Sequence, residues 1–291
     1  KFKLRQAGSE RLTIINNTQI IKDKNLTEDM IETPIQYHHI KSSNSIDVTN
    51  AIANQEYWKR LYDSQDREVI ENNIAITLNL LEIIRINIIN PLIVICSTSE
   101  VYGKVSKKDI PIKETKSINP VNPYSVSKAF QDHISQIYYK VYGLKIIITR
   151  MFSYSNARKK FLFQTAFARQ IADIEKGKKK ILTHGNLNSV RNIIDISDAM
   201  EAYWLTAKKG RIGEIYNIGG KKVISVGGYL KELKKLSSVR IKSKIDKKLL
   251  RPIDVTLQIA DTRKFIRDTN WSPKISFKES IKKLLEECRK R

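Results

Sequence analysis

Glycine is scarce at the start of this 291-residue chain: the first 45 residues hold one, Gly8. No G-x-G-x-x-G turn follows a strand there, so that stretch lacks the usual glycine-rich phosphate loop. Cysteine is scarcer still. Cys96 and Cys288 are the only two, which excludes a disulfide scaffold and makes the cytoplasm the default compartment. No apolar run approaches the roughly 18–20 residues needed to cross a bilayer. Leu78 to Ile95 comes nearest, and Asn79, Glu82, Arg85, Asn87, Asn90 and Pro91 interrupt it. The opening Lys1-Phe2-Lys3-Leu4-Arg5-Gln6 has neither Met nor an apolar core, so no signal peptide is expected. His133, His184 and the pair His38-His39 have no metal-ligand partners at useful spacing, and no metal is expected.

Negative charge is short as well: 53 Lys and Arg face 30 Asp and Glu, a formal charge of +23. Such an excess raises the question of nucleic acid. The lysines are dispersed, however, with short runs at 176–180, 247–248 and the last few residues. No helix-turn-helix, zinc set or aromatic-basic alternation accompanies them, so neither nucleic acid nor membrane is an expected partner. A basic surface still steers an anionic small molecule inward.

What the chain does have, from about Ile46 onward, is alternation of strand-like and helix-like segments, the pattern of a parallel sheet with crossover helices. Leu12-Thr13-Ile14-Ile15 reads as a possible strand, and Ile46 to Ala51 as a strand opening into a loop. Apolar residues at helical spacing mark 68–85, followed by a strand over 92–96. A helix over 125–142 ends at Gly143, which suits a C′ position, and 145–150 is the next core strand. Helices over 163–176 and 195–208 and a strand over 213–218 follow. The last quarter reads as a smaller lobe. The expected division is a Rossmann-like cofactor domain over 1–150 and a mainly substrate-binding lobe over 151–291, with some segments returning to the Rossmann sheet.

Two stretches carry chemistry. The core strand runs out into Ser97-Thr98-Ser99-Glu100, delivering side-chain oxygens to the carboxyl edge of the sheet, where open α/β folds bind ligands. In Asn122-Pro-Tyr-Ser-Val-Ser-Lys128, Tyr124 and Lys128 are four apart at a helix start and share one face. An ammonium near a phenol lowers its pKa from about 10 toward neutrality, which turns Tyr124 into a general base.

STSEVYG (97–103) followed by PYSVSK (123–128) resembles the extended short-chain dehydrogenase/reductase family in its sugar-nucleotide branch. HGNLNSVRNIIDISDAMEAYW (184–204), GEIYNIGG (213–220) and segments of 250–281 are similar to the GDP-mannose 4,6-dehydratases and their reductase relatives. The resemblance implies a doubly wound α/β fold, a nicotinamide cofactor (NADP, with NAD as the alternative), a GDP-sugar substrate and a homodimer or homotetramer paired through helices near 68–87 and 125–142. It also implies roles. Tyr124 removes the sugar O4 proton while hydride leaves C4. Glu100 takes the C5 proton and assists loss of the C6 hydroxyl as water, and the hydride returns at C6. Thr98 hydrogen-bonds O4 and Ser99 supports it. Lys128, with Tyr124 and Ser97, contacts the cofactor, Lys128 through ribose hydroxyls. Arg191 and Arg251 grip the nucleotide, their planar forks suited to phosphate. Asn186 and Asp195 shape the loop that holds Arg191. A GDP-4-keto-6-deoxymannose reductase, or a non-catalytic paralogue that binds sugar nucleotide without cofactor, are the alternative readings.

Three positions depart from the family pattern. The glycine-rich opening is missing, the usual Ala-Ala-Gln motif survives loosely as Ala51 to Gln55, and Ser153 stands where an asparagine is usual. An incomplete or divergent first β-α-β unit, with weak cofactor binding, is expected from this.

Overall fold

The computed structural model describes residues 2–5, 12–16, 19–21, 65–159, 162–250 and 254–291. They divide into two units, Lys1–Asn87 and Ile88–Arg291. In the first, β1 (Phe2–Arg5), β2 (Leu12–Asn16) and β3 (Gln19–Ile21) form an antiparallel sheet in the order β1-β2-β3. The strand read at Leu12–Ile15 is therefore present. Its pairing is antiparallel, unlike the parallel β-α-β opening of the family. The long helix α1 (Gln65–Ile86) matches the periodicity over 68–85. Ile46–Ala51 and the Ala51–Gln55 motif lie outside the described residues.

The second unit runs β4 (Ile93–Thr98), a 3-10 turn (Ser99–Tyr102), α2 (Pro123–Tyr142), β5 (Ile146–Met151), β6 (Tyr154–Ser155), α3 (Phe163–Glu175), β7 (Leu182–His184) and β8 (Val190–Asp195). It continues through α4 (Ile196–Lys209), β9 (Ile215–Ile218), β10 (Lys222–Ser225), α5 (Val226–Lys235), β11 (Ser243–Ile245), β12 (Leu257–Gln258), α6 (Arg263–Thr269) and α7 (Phe277–Lys290). The strands β4-β5-β9 form the parallel sheet that the alternating pattern predicts. All six residues of β5 are buried. That is the mark of a central parallel strand covered on both faces, and α2 and α4 both pack on β4 and β5.

Smaller sheets make up the rest. The strand β8 pairs with β10, β12 and β6, and β11 pairs with β7. One core, including Phe167, Ile171, Tyr229, Leu233, Leu284 and Leu285, holds α3, α5 and α7 together.

Local sequence sets the ends of the elements around the carboxyl edge. Asn122 caps α2 by accepting the Ser125 amide at 2.8 Å, and Ser125 returns the bond to the Asn122 amide through its hydroxyl. Pro123 occupies the first turn, where its missing N–H costs nothing. Gly143 closes α2 in the left-handed conformation, φ 68°. The 3-10 turn after β4 ends on Gly103, φ 60°, whose amide donates to the Glu100 carbonyl at 3.1 Å. A Cβ on Gly103 would lie 1.8 Å from the Asn119 carbonyl oxygen. Gly103→Ala is therefore expected to cost upwards of about 2 kcal/mol, from strain at positive φ and from overlap with backbone. A denaturant midpoint shift would measure it, and an unchanged midpoint would contradict this account of the turn.

Candidate active site

Register brings the site together. Thr98, the last residue of β4, is paired with Met151 at the end of β5. The chain then turns sharply through Ser99-Glu100-Val101-Tyr102, and α2 begins at the same edge of the sheet. A cleft of about 790 Å³ opens there. It is lined by Ser97, Thr98, Ser99, Glu100, Tyr124 and Lys128, and further along by Asn186 and Arg191. Eight of the nine residues predicted from the sequence thus share one cavity. The ninth, Arg251, lies outside the described residues.

The reactive groups are tied to one another. Tyr124 lines the cleft with Thr98, and its hydroxyl feels the Thr98 side chain and the Glu100 carboxylate. Glu100 accepts a hydrogen bond from Asn122 Nδ2 at 2.9 Å. Asn122 therefore does two jobs, capping α2 with its oxygen and holding Glu100 with its nitrogen. Thr98 accepts the Glu100 amide at 3.3 Å, which fixes the entry to the turn. Phenol, hydroxyl and carboxylate are set by two side chains at the junction of strand, turn and helix.

One expectation is corrected. Tyr124 does not have a lowered pKa in this structure. Burial raises it above the ordinary value; the Thr98 side chain works in the opposite direction, and the Glu100 charge adds to the rise. Lys128 shares the helix face, as the spacing predicts, but its ammonium donates to Gln131, one turn on. Burial lowers the Lys128 pKa, and Lys159 across the cleft pushes the same way.

Beneath the cleft lies a buried ion pair. Arg150 of β5 is 3% exposed and Asp132 of α2 is 0% exposed, and they meet in a bidentate contact at 2.8 and 3.0 Å. The guanidinium also donates to the Tyr102 hydroxyl at 2.9 Å and the Glu114 carbonyl at 3.1 Å. The Tyr102 hydroxyl in turn donates to Asn217 Oδ1 at 2.7 Å. Burial pushes the Tyr102 phenol up to about 12. One network thus clamps β5, α2 and the 3-10 turn, the three elements that carry the site.

At the far end, Asn186 and Ser189 both donate to Asp254, at 2.6 and 2.8 Å. This fixes the loop before β8, in keeping with the shaping role expected for Asn186. Arg191 donates to the carbonyls of Val190 and Val255. Asp195 accepts from the Ser197 amide as the cap of α4, and from the Ser280 hydroxyl. Sequence reasoning missed Tyr154, Lys159 and Gln164, which line the same cleft. Their signal was the second apolar-to-polar switch at a strand end, after Phe152. His133 is exposed and His184 contacts its neighbour's carbonyl at 2.9 Å. Among the described residues no cluster suited to a metal ion occurs.

The cleft has the donor set for the nicotinamide-ribose end of a dinucleotide. Ser97 Oγ is buried without a hydrogen-bond partner among the described residues, and Lys128 lines the same cleft. Most of the first 64 residues, where the sequence offers no glycine-rich turn, lie outside the described residues.

A parallel α/β sheet whose carboxyl edge holds a Thr-Tyr-Lys set defines a Rossmann-like enzyme of the extended short-chain dehydrogenase/reductase class. A family model described as GDP-mannose 4,6 dehydratase matches residues 25–284, and the chain belongs to that family. The chain is 25% identical over 242 residues to the GDP-6-deoxy-D-mannose reductase of Pseudomonas aeruginosa, covering 82% of this chain and 79% of the relative. It is 32% identical over 195 residues to the human dTDP-D-glucose 4,6-dehydratase, covering 65% of this chain and 54% of the relative. The chain thus spans about half the length of that dehydratase. Among solved structures, an RMD from Pseudomonas aeruginosa complexed with NADPH superposes with a TM-score of 0.72 at 23% identity, covering 78% of this chain and 76% of the other. The dTDP-glucose 4,6-dehydratase of Bacillus anthracis in complex with NAD gives 0.66 at 26% identity, covering 76% and 69%. The nicotinamide cofactor predicted from the sequence is the kind these two neighbours hold.

Proposed function

We propose that this protein is a sugar-nucleotide 4,6-dehydratase acting on GDP-mannose, with NADP as the bound cofactor and NAD as the alternative. The observation that carries the reading is Glu100, held by Asn122 beside the Thr98–Tyr124 pair in one cleft. An elimination needs a base for a carbon acid as well as a base for an alcohol, and we assign these roles to Glu100 and Tyr124.

The residues divide the work. Thr98 orients the O4 hydroxyl and Tyr124 takes its proton. Lys128 and Ser97 hold the ribose and nicotinamide portion. When bound, the cofactor supplies reversible two-electron oxidation at C4 and returns the electrons at C6, so no external oxidant is consumed. Glu100 removes the C5 proton, made acidic by the adjacent ketone. The same carboxyl group then gives a proton to the departing C6 oxygen, which leaves as water; C5 takes up a proton from solvent as C6 is reduced, and Tyr124 releases the O4 proton to solvent. Ser99 supports the turn, and Asn186, Arg191 and Arg251 hold the nucleotide.

The deciding experiment incubates purified protein with GDP-mannose and NADP and follows the alkaline absorbance of the 4-keto product. Absence of that product would refute the dehydratase. Glu100→Gln is expected to lower the yield rate by about 10²-fold or more, the contribution of one positioned acid-base group. Solvent deuterium incorporation at C5 should fall in parallel.

A second reading, the GDP-4-keto-6-deoxymannose reductase, is favoured by the extent of the match to the Pseudomonas reductase. It predicts turnover only with the 4-keto substrate and added NADPH. A non-catalytic paralogue, favoured by the antiparallel opening strands, predicts stabilisation by GDP and none by NADP.

A homodimer or homotetramer is also proposed. The exposed apolar residues Val126, Ile137, Val141 and Tyr142 of α2 supply a surface for it. Sedimentation velocity should then give a mass at least twice the 33.6 kDa of one chain. No described helix is long and apolar enough to cross a membrane. We take the site of action to be the cytoplasm.

A further inference from the structure

The wall of the cleft holds a buried carboxamide that the chemistry above does not use. Gln164, in the first turn of α3, has no solvent exposure. Its Nε2 donates to Ser153 Oγ at 2.7 Å, while Oε1 has no hydrogen-bond partner among the described residues. Both Gln164 and Ser153 line the cleft. A buried acceptor left unmet is destabilising, and native folds rarely retain one without a use.

Its position says which part of a ligand it faces. Thr98 is in register with Met151. Ser153 is two residues beyond, about 7 Å further along an extended chain. The Ser153 carbonyl also accepts the Ile194 amide at 3.1 Å, so its backbone is pinned between the two sheets. The carboxamide therefore lies along the cleft wall between Thr98 and β8, the strand that carries Arg191.

We propose that Gln164 is a specificity-determining residue that recognises a hydroxyl of the hexose ring. Ser153 can donate as well as accept, so either orientation of the carboxamide leaves one polar end without a partner among the described residues. A hydroxyl, which also does both, satisfies either end. A phosphate oxygen only accepts, and Lys159, Lys248 and Arg191 on the same walls serve it better. This assignment rests on the sugar-nucleotide reading above, and it adds the residue that reads the sugar.

Calorimetric titration with GDP-mannose and with GDP tests it. Gln164→Leu is expected to weaken GDP-mannose binding about tenfold, the effect of one lost hydrogen bond of about 1.4 kcal/mol, and to leave GDP binding unchanged. Ser153→Ala frees the carboxamide without removing it and should weaken GDP-mannose alone by a smaller factor, about threefold; it also guards against a leucine variant that fails to fold. If both ligands weaken equally, or neither does, Gln164 reads no sugar hydroxyl and the assignment is overturned, as it also is if the site merely holds a water. Wild-type protein that binds neither ligand would overturn the sugar-nucleotide reading itself.

Discussion

Tyr124→Phe is expected to lower the rate of 4-keto product formation by about 10²–10⁴-fold, the range for loss of a positioned general base. The ring stays, so the KM for GDP-mannose should move much less than kcat. The pH profile is the sharper test. Burial and the Glu100 charge hold the free-protein phenol above its usual pKa. The ionised fraction is therefore small at neutrality and increases with pH. Because kcat/KM reports free-enzyme ionisations, it should climb from pH 7 into the alkaline range in wild type and lose that limb in Tyr124→Phe. A flat wild-type profile, or a variant that keeps the limb, would remove Tyr124 from the base role.

Arg150→Met is expected to destabilise the protein by about 3–5 kcal/mol, the cost of leaving a buried charge without its partner. Asp132 is fully buried, and once the guanidinium is gone its carboxylate keeps, among the described residues, the Gln136 amide at 2.9 Å. The double variant Asp132→Asn, Arg150→Met should restore part of the loss. Urea unfolding of both variants checks this, and a single variant as stable as wild type would show that the clamp is dispensable. Activity should suffer too, because the same arginine steadies Tyr102 in the turn that carries Glu100.

Most of the framework was legible in the order of residues. The helix over 163–176 and the strand over 145–150 were set by local periodicity and by the apolar run, and α3 and β5 lie there within a residue. The stop at Gly143 was legible because few residues other than glycine adopt its φ of 68° comfortably. Tyr124 and Lys128 were legible as a pair because helical spacing is a local property. What Lys128 touches was not. A side chain that long chooses among partners that folding supplies, and it takes Gln131. Nor could spacing reveal that the Glu100 carboxylate rests on Asn122, 22 residues away, or that Arg150 meets Asp132. The rise in the Tyr124 pKa has the same origin, since burial belongs to the assembled cleft. The antiparallel pairing of β1, β2 and β3 was invisible for a further reason: strand propensity carries no direction.

Because side chains alternate along β4, Cys96 faces the same way as Thr98, one pleat behind it, and its thiol is exposed while that of Cys288 is enclosed. The protein thus has a built-in handle. A maleimide or similar thiol-selective dye should attach at one position, on the floor of the cleft, and the rate at which it does so should drop whenever something occupies the space above.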